Sequence, residues 1–140
     1  MAKDTQLSNA AVNAEADALA RLLDNGYRRL YDGTKPATAD TALAGNTLLA
    51  ELRFAATSAP AAVAGVLTWT ITPDASANTT GTATFFRDFK ADGTTVVMDG
   101  TVGAVGSTSN LELNNTTIEA GVQVSISSAN HTVAKATSGS

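Results

Sequence analysis

The chain of 140 residues holds one imidazole, His131, and no cysteine. Transition-metal sites draw on several His or Cys ligands, and nucleophilic relays pair a Ser, Cys or Thr with a positioned base. His131 has no second His at i+2 or i+4 and lies in a Thr/Ser-rich run, so it reads as structural. The carboxylates point the same way. Asp32, Asp92 and Asp99 each precede a glycine, the pattern of turns closed by Asx-type hydrogen bonds. A glycosidase needs two carboxylates converging across a cleft, and turn chemistry already accounts for each of these. No calcium-loop pattern of alternating oxygen ligands occurs. Gly100, Gly103 and Gly106 recur at three-residue intervals, but no strand-to-helix context surrounds them, so they read as a flexible connection rather than a phosphate loop. These residues imply no catalytic residue, no cofactor-binding residue and no metal ligand.

Arg28 and Arg29, set between Tyr27 and Tyr31, form the one basic-aromatic cluster. A nucleic-acid reader needs its cations on one face. Neighbours on a strand point to opposite faces, and Asp24 and Asp32 flank this pair, so salt bridges at a sheet edge or a partner interface are the better reading. The net charge of −4 offers no footprint for nucleic acid or anionic lipid. No apolar run reaches the ~18–20 residues of a membrane span. MAKDTQLSNA lacks an apolar signal core, so a soluble domain made in the cytoplasm is expected. Sequons at Asn78, Asn114, Asn115 and Asn130 are the chance product of a Thr-rich chain.

The elements that must carry these residues are a leading helix and a series of short strands. Ser8 to Asn25 has a capping serine, an Asn25-Gly26 stop and an apolar stripe of Val12, Ala16, Leu19, Leu22 and Leu23. Asn13, Asp17, Arg21 and Asp24 line its other face, with Asp17 and Arg21 spaced for an i,i+4 pair. From Gly26 onward the period changes to two. Strands are expected at 27–31, 48–54, 66–72, 80–89, 94–99, 110–114 and 122–126, with 116–119 preceding a turn and 131–134 continuing or pairing with the last. Lys90-Ala91-Asp92-Gly93 closes a hairpin, and Asp99-Gly100 reads as a second turn. In 66–72, Leu67, Trp69 and Ile71 share one face, as core residues should. The expectation is a mainly β, jelly-roll-like β-sandwich of about eight short antiparallel strands with one N-terminal α-helix. Residues 1–26 form its arm and helix, 27–135 the sandwich and 136–140 a flexible tail.

Three stretches carry a resemblance: MAKDTQLSNAAVNAEADALARLLDNGY, YDGTKPATADTALAG and GTATFFRDFKADGTTVVMDGTVG. They resemble a family of small proteins encoded among the head genes of tailed bacteriophages. In size and β-rich character the chain is similar to capsid cement, or decoration, proteins. The resemblance implies a non-enzymatic virion protein on the capsid exterior, made in the host bacterial cytoplasm. Its partner would be the major capsid protein, whose neighbouring subunits it ties together. A homo-oligomer, a dimer before a trimer, is expected, with no nucleic acid, membrane or small-molecule substrate. Leu7, Val12, Leu19, Leu22 and Leu23 are candidate contacts to capsid or self, unless that stripe packs under the chain's own sheet. Arg28, Arg29 and Arg53 are candidate charge contacts. A tail, neck or head-fibre module, one that binds host carbohydrate included, is the first rival; a cell-wall hydrolase is the second.

Overall fold

A computed structural model describes residues 5–126, 129–134 and 136–137. Helix α1 is Asn9–Leu23. The strands before the long hairpin are β1 Thr5–Gln6, β2 Tyr27–Tyr31, β3 Leu48–Phe54, β4 Val66–Thr68, β5 Ile71–Thr72 and β6 Gly81–Thr82. Those that follow are β7 Phe85–Phe89, β8 Val96–Ala104, β9 Leu111–Leu113, β10 Thr117–Ile118, β11 Asn130–Thr132 and β12 Ala136–Thr137. Among the described residues the fold is mainly β with one helix. Six strands form a curled sheet in the order β5-β3-β2-β7-β8-β9, and the pairs β1-β12, β6-β10 and β4-β11 form two-stranded ribbons. No helix among the described residues is long and apolar enough to cross a membrane.

The expected caps delimit α1. Ser8 Oγ accepts the Ala11 N–H at 3.1 Å, and Asn25 takes φ 58°, the left-handed conformation that ends the helix. Val12, Ala16, Ala20 and Leu23 are buried. Most of that stripe joins Phe54, Ala59, Ala62, Leu67 and Trp69 in one apolar cluster, so the helix packs on its own body. Its polar side is not a solvent face. Asn13 accepts the Gly65 N–H, Asp17 the Ala62 N–H and Asp24 the Ser58 N–H, each at 2.8 Å. Ser58 Oγ returns a bond to the Ala20 carbonyl at 2.7 Å. These bonds seat the 55–65 loop along the helix. With Asp17 so engaged, the expected Asp17–Arg21 pair does not form, and Arg21 instead meets Asp24 at 2.8 Å.

The central hairpin β7–β8 forms where its sequence predicts, but the strand expected over 80–89 splits. β6 pairs with β10 and only Phe85–Phe89 joins the six-stranded sheet, because the Ala83 N–H goes to the Thr116 carbonyl and the Thr84 N–H to that of Tyr31. Asp92 closes the turn by accepting from the Thr94 and Thr95 backbone, and its bond from the Thr95 hydroxyl leads the effects that lower its carboxyl pKa to about 2. Asp99-Gly100 is no turn: both lie inside β8, and the Phe86 ring occupies the space a Cβ would need at Gly100. β8 therefore continues through Gly103 to Ala104, where a connection was expected. The chain then doubles back through 105–110, so that β9 runs parallel to β8, with Val102 opposite Leu111. Parallel neighbours ordinarily need a crossover of a dozen residues or more. Here Gly103 leaves room for Ser107 and Ser109 to fold directly over the strand.

Three further expectations are corrected. Residues 66–72 do not run as one strand: β4 pairs with β11 and β5 with β3, because Trp69 N–H bonds to the Ala129 carbonyl and Thr70 N–H to that of Ser58. Val122–Ile126 is no strand: it meets the 74–77 segment through the Asp74–Val124 bridge and the bond from the Ala77 N–H to the Val122 carbonyl, and 130–132 pairs with β4 instead. Ala136 and Thr137, assigned to a flexible tail, pair with Gln6 and Thr5; 138–140 lie outside the described residues.

Gly26 marks where helix hands over to sheet. A Cβ there would collide with the Phe89 carbonyl and approach that of Leu23 at 2.9 Å, both backbone atoms that no rotamer change moves. Gly26→Ala is expected to cost about 2–3 kcal/mol in urea unfolding, whereas Gly45→Ala, with nothing within 4 Å of its Cβ but φ +73°, should cost about 1 kcal/mol, the ordinary penalty of a left-handed residue.

Candidate functional site

Four adjacent strands, β3, β2, β7 and β8, are joined by ion pairs between residues directly opposite one another. Arg29 of β2 faces Glu51 of β3, Arg28 of β2 faces Asp88 of β7, and Arg87 of β7 faces Asp99 of β8. The contacts are 2.6 Å for Arg29–Glu51, 2.8 Å for Arg28–Asp88 and 2.7 Å for Arg87–Asp99. Alternation sends Arg28 and Asp88 to the face that meets α1 and the β4–β11 ribbon. It sends Arg29, Arg87, Glu51 and Asp99 to the other.

The Arg28–Asp88 pair is enclosed. Nε and Nη2 of Arg28 donate to the two carboxylate oxygens at 2.9 and 2.8 Å, and the guanidinium lies 4.0 Å from the Phe86 ring centre and 5.4 Å from that of Phe54. The planar, weakly hydrated guanidinium suits this aromatic slot as an ammonium would not. Full burial pushes the Asp88 carboxyl pKa above its ordinary value, against the pull of Arg28. His131, packed nearby, is shifted down, first by burial and then by the Arg28 charge.

On the opposite face, Arg87 holds Asp99 through two bonds and donates a third to the Thr38 carbonyl at 3.4 Å. That bond ties the 32–47 loop across the sheet, where Leu43 packs against Tyr31, Phe85 and Phe89. Asp32 and Asn46 close the base of the loop, Asp32 accepting the Thr47 N–H at 2.7 Å and Asn46 donating to the Asp32 carbonyl at 2.8 Å. Burial raises the Tyr31 hydroxyl pKa. Beyond the loop's cover the face is open. Arg29 stacks 4.5 Å from Phe89 and 5.2 Å from Tyr27, and Arg53 lies 4.7 Å from Tyr27 on its own. Arg53 is exposed and forms no ion pair among the described residues.

The candidate contacts separate accordingly. Val12, Leu23 and Arg28 are core residues at 0%, 0% and 3% exposure, so they meet this chain's own interior and not a partner. Leu7, Leu19 and Arg29 are half-buried, the last engaged with Glu51 and the Gly93 carbonyl. Leu22 and Arg53 reach the surface. The two arginines do lie on opposite faces and share no patch. Sequence reading missed Glu51, Arg87 and Asp88 and took Asp99 for a turn residue. The available signal was FFRDF itself, where two charges interrupt an aromatic strand that leaves them no solvent. No group of three or more metal-binding side chains converges among the described residues. The chain matches no family model, no curated protein and no solved structure.

Asp88→Asn leaves a buried guanidinium uncompensated and is expected to cost about 3–5 kcal/mol. The double change Arg28→Met with Asp88→Val, which removes both charges, should cost clearly less than the sum of its single changes in a denaturation cycle. His131 adds a pH signature. Its folded pKa lies below 6.5, so beneath 6.5 the unfolded chain binds more protons than the folded one. Stability contributed by this residue is present above pH 6.5 and falls as pH drops through 6.5, until the folded ring itself titrates. Urea midpoints across pH 4–8 should lose that component in His131→Asn.

Proposed function

We propose that this chain is a non-enzymatic virion structural protein that binds the outer capsid surface and cements neighbouring major capsid protein subunits. The supporting observation is where the interaction capacity lies. Arg28, Arg87, Asp88 and Asp99 are consumed inside the sheet, whereas Arg53 stands exposed over Tyr27 on a rigid strand. Val63, Val105 and Val122, at 74%, 68% and 51% exposure, add apolar points on separate loops. A clamp spanning several subunits works through such scattered, individually weak contacts, multiplied over symmetric sites. The head-gene resemblance of the three sequence stretches supplies the context. On this reading the curled sheet and its ribbons are a jelly-roll-like sandwich, self-associating as a dimer and made in the host cytoplasm before it joins the capsid exterior.

The test is co-sedimentation of purified protein with capsid shells that lack it. The protein should pellet with the shells and raise the temperature at which they rupture. Arg53→Glu should weaken pelleting several-fold, more so at low salt, with its own unfolding curve unchanged. Wild-type protein left in the supernatant at every salt concentration contradicts the proposal.

A further inference from the structure

A cavity of about 380 Å³ opens between the sheet and the β4–β11 ribbon. It lies within the ~300–1,000 Å³ range of small-molecule sites, at the end suited to one sugar-sized ring. Its construction is graded. Arg28, Trp69 and Phe86 line it as buried residues, His131 as a half-buried one, and Asn110 and Asn130 as an exposed rim; Asp99 borders it by strand position, its carboxylate being held by Arg87 on the opposite face.

The polar groups here are only partly used. Arg28 spends Nε and Nη2 on Asp88, which leaves Nη1 without a hydrogen-bond partner among the described residues, on a side chain only 4% exposed. Asn110 accepts through Oδ1 from the Thr101 N–H and hydroxyl, so its amide N–H groups are free to donate. The Asn130 amide and the His131 ring make no side-chain hydrogen bond among the described residues. The open functions are therefore mostly donors, with the His131 ring able to give or accept. The charge balances: Asp88 compensates Arg28. Phe86 and Trp69 add apolar ring surface beside these groups.

A ligand that fits must be uncharged, must offer several oxygens that both accept and donate, and must carry an apolar face. A carboxylate would satisfy the donors but would enter beside the Asp88 carboxylate, which already compensates Arg28. We propose that this cavity is a binding site for a single neutral saccharide unit, its hydroxyls bonded by Arg28, Asn110, Asn130 and His131 and its C–H face against Phe86 and Trp69. The site is independent of the Tyr27–Arg53 surface, which lies on the opposite face of the sheet.

Trp69 is the chain's one tryptophan, so its fluorescence reports the cavity directly. The purified 140-residue chain is titrated with methyl glucoside, methyl galactoside, N-acetylglucosamine and, as the anionic arm, sodium acetate. A saturable change with at least one neutral sugar is expected. Its midpoint should rise at least tenfold in Asn130→Ala, an exposed substitution that spares the fold, and likewise in His131→Ala. Three results would overturn the proposal: no saturable change with any sugar up to 100-fold the concentrations at which weak sugar sites of ~1 mM Kd fill, saturation by acetate alone, or midpoints unchanged in Asn130→Ala.

Discussion

The interaction on which the rest of the structure depends is the Arg28–Asp88 pair at the centre of the sheet. A charge with almost no access to water is tolerable only opposite its partner. Sliding β2 by one residue along β7 would set Arg28 against Arg87 or Phe89 and leave Asp88 without its guanidinium. Hydrophobic packing alone resists such a slip through the period-two alternation, which moves every side chain to the other face. Buried charge makes the penalty far larger. The Arg29–Glu51 and Arg87–Asp99 pairs extend the same restriction to β3 and β8, so the four central strands share one register.

Fixed register has consequences at both faces. On one, it sets the Phe54–Arg28–Phe86 stack beneath the β4–β11 ribbon, and the cavity exists because the ribbon stands off from that floor. On the other, it aligns Tyr27 with Arg29 and Arg53 while the loop anchored by Thr38 covers Tyr31, Phe85 and Phe89. The two faces thus carry unlike covers, a helix with short ribbons on one and, over part of the other, a long loop. Arg53 is presented from a strand, whereas Val63, Val105 and Val122 are presented from loops.

Local signals made much of this legible. Ser8, Asn25 and Gly26 bound the helix, and the alternation of 27–31 and 48–54 gives two central strands. Asp92-Gly93 gives the hairpin, because a turn's chemistry resides in adjacent residues. Non-local effects were hidden. Arg28 and Asp88 stand 60 positions apart, so no spacing rule pairs them. Asp17, Asn13 and Asp24 look like solvent-facing helix residues until the 55–65 loop brings them backbone N–H groups. Asp99-Gly100 carries a turn signature, yet Arg87 claims the carboxylate and Phe86 the glycine. Tertiary partners there outweighed local preference, and the candidate contacts Val12, Leu23 and Arg28 were drawn into the core by the same packing.

The central claim, that this register-locked sheet serves as a component of the capsid exterior, is tested most directly by counting. Quantitative mass spectrometry of purified virions that carry this chain gives its copy number relative to the major capsid protein. A number of the same order as that protein is expected, as repeated clamping of the shell requires. A dozen copies or fewer would place the chain at a neck or tail and contradict the claim.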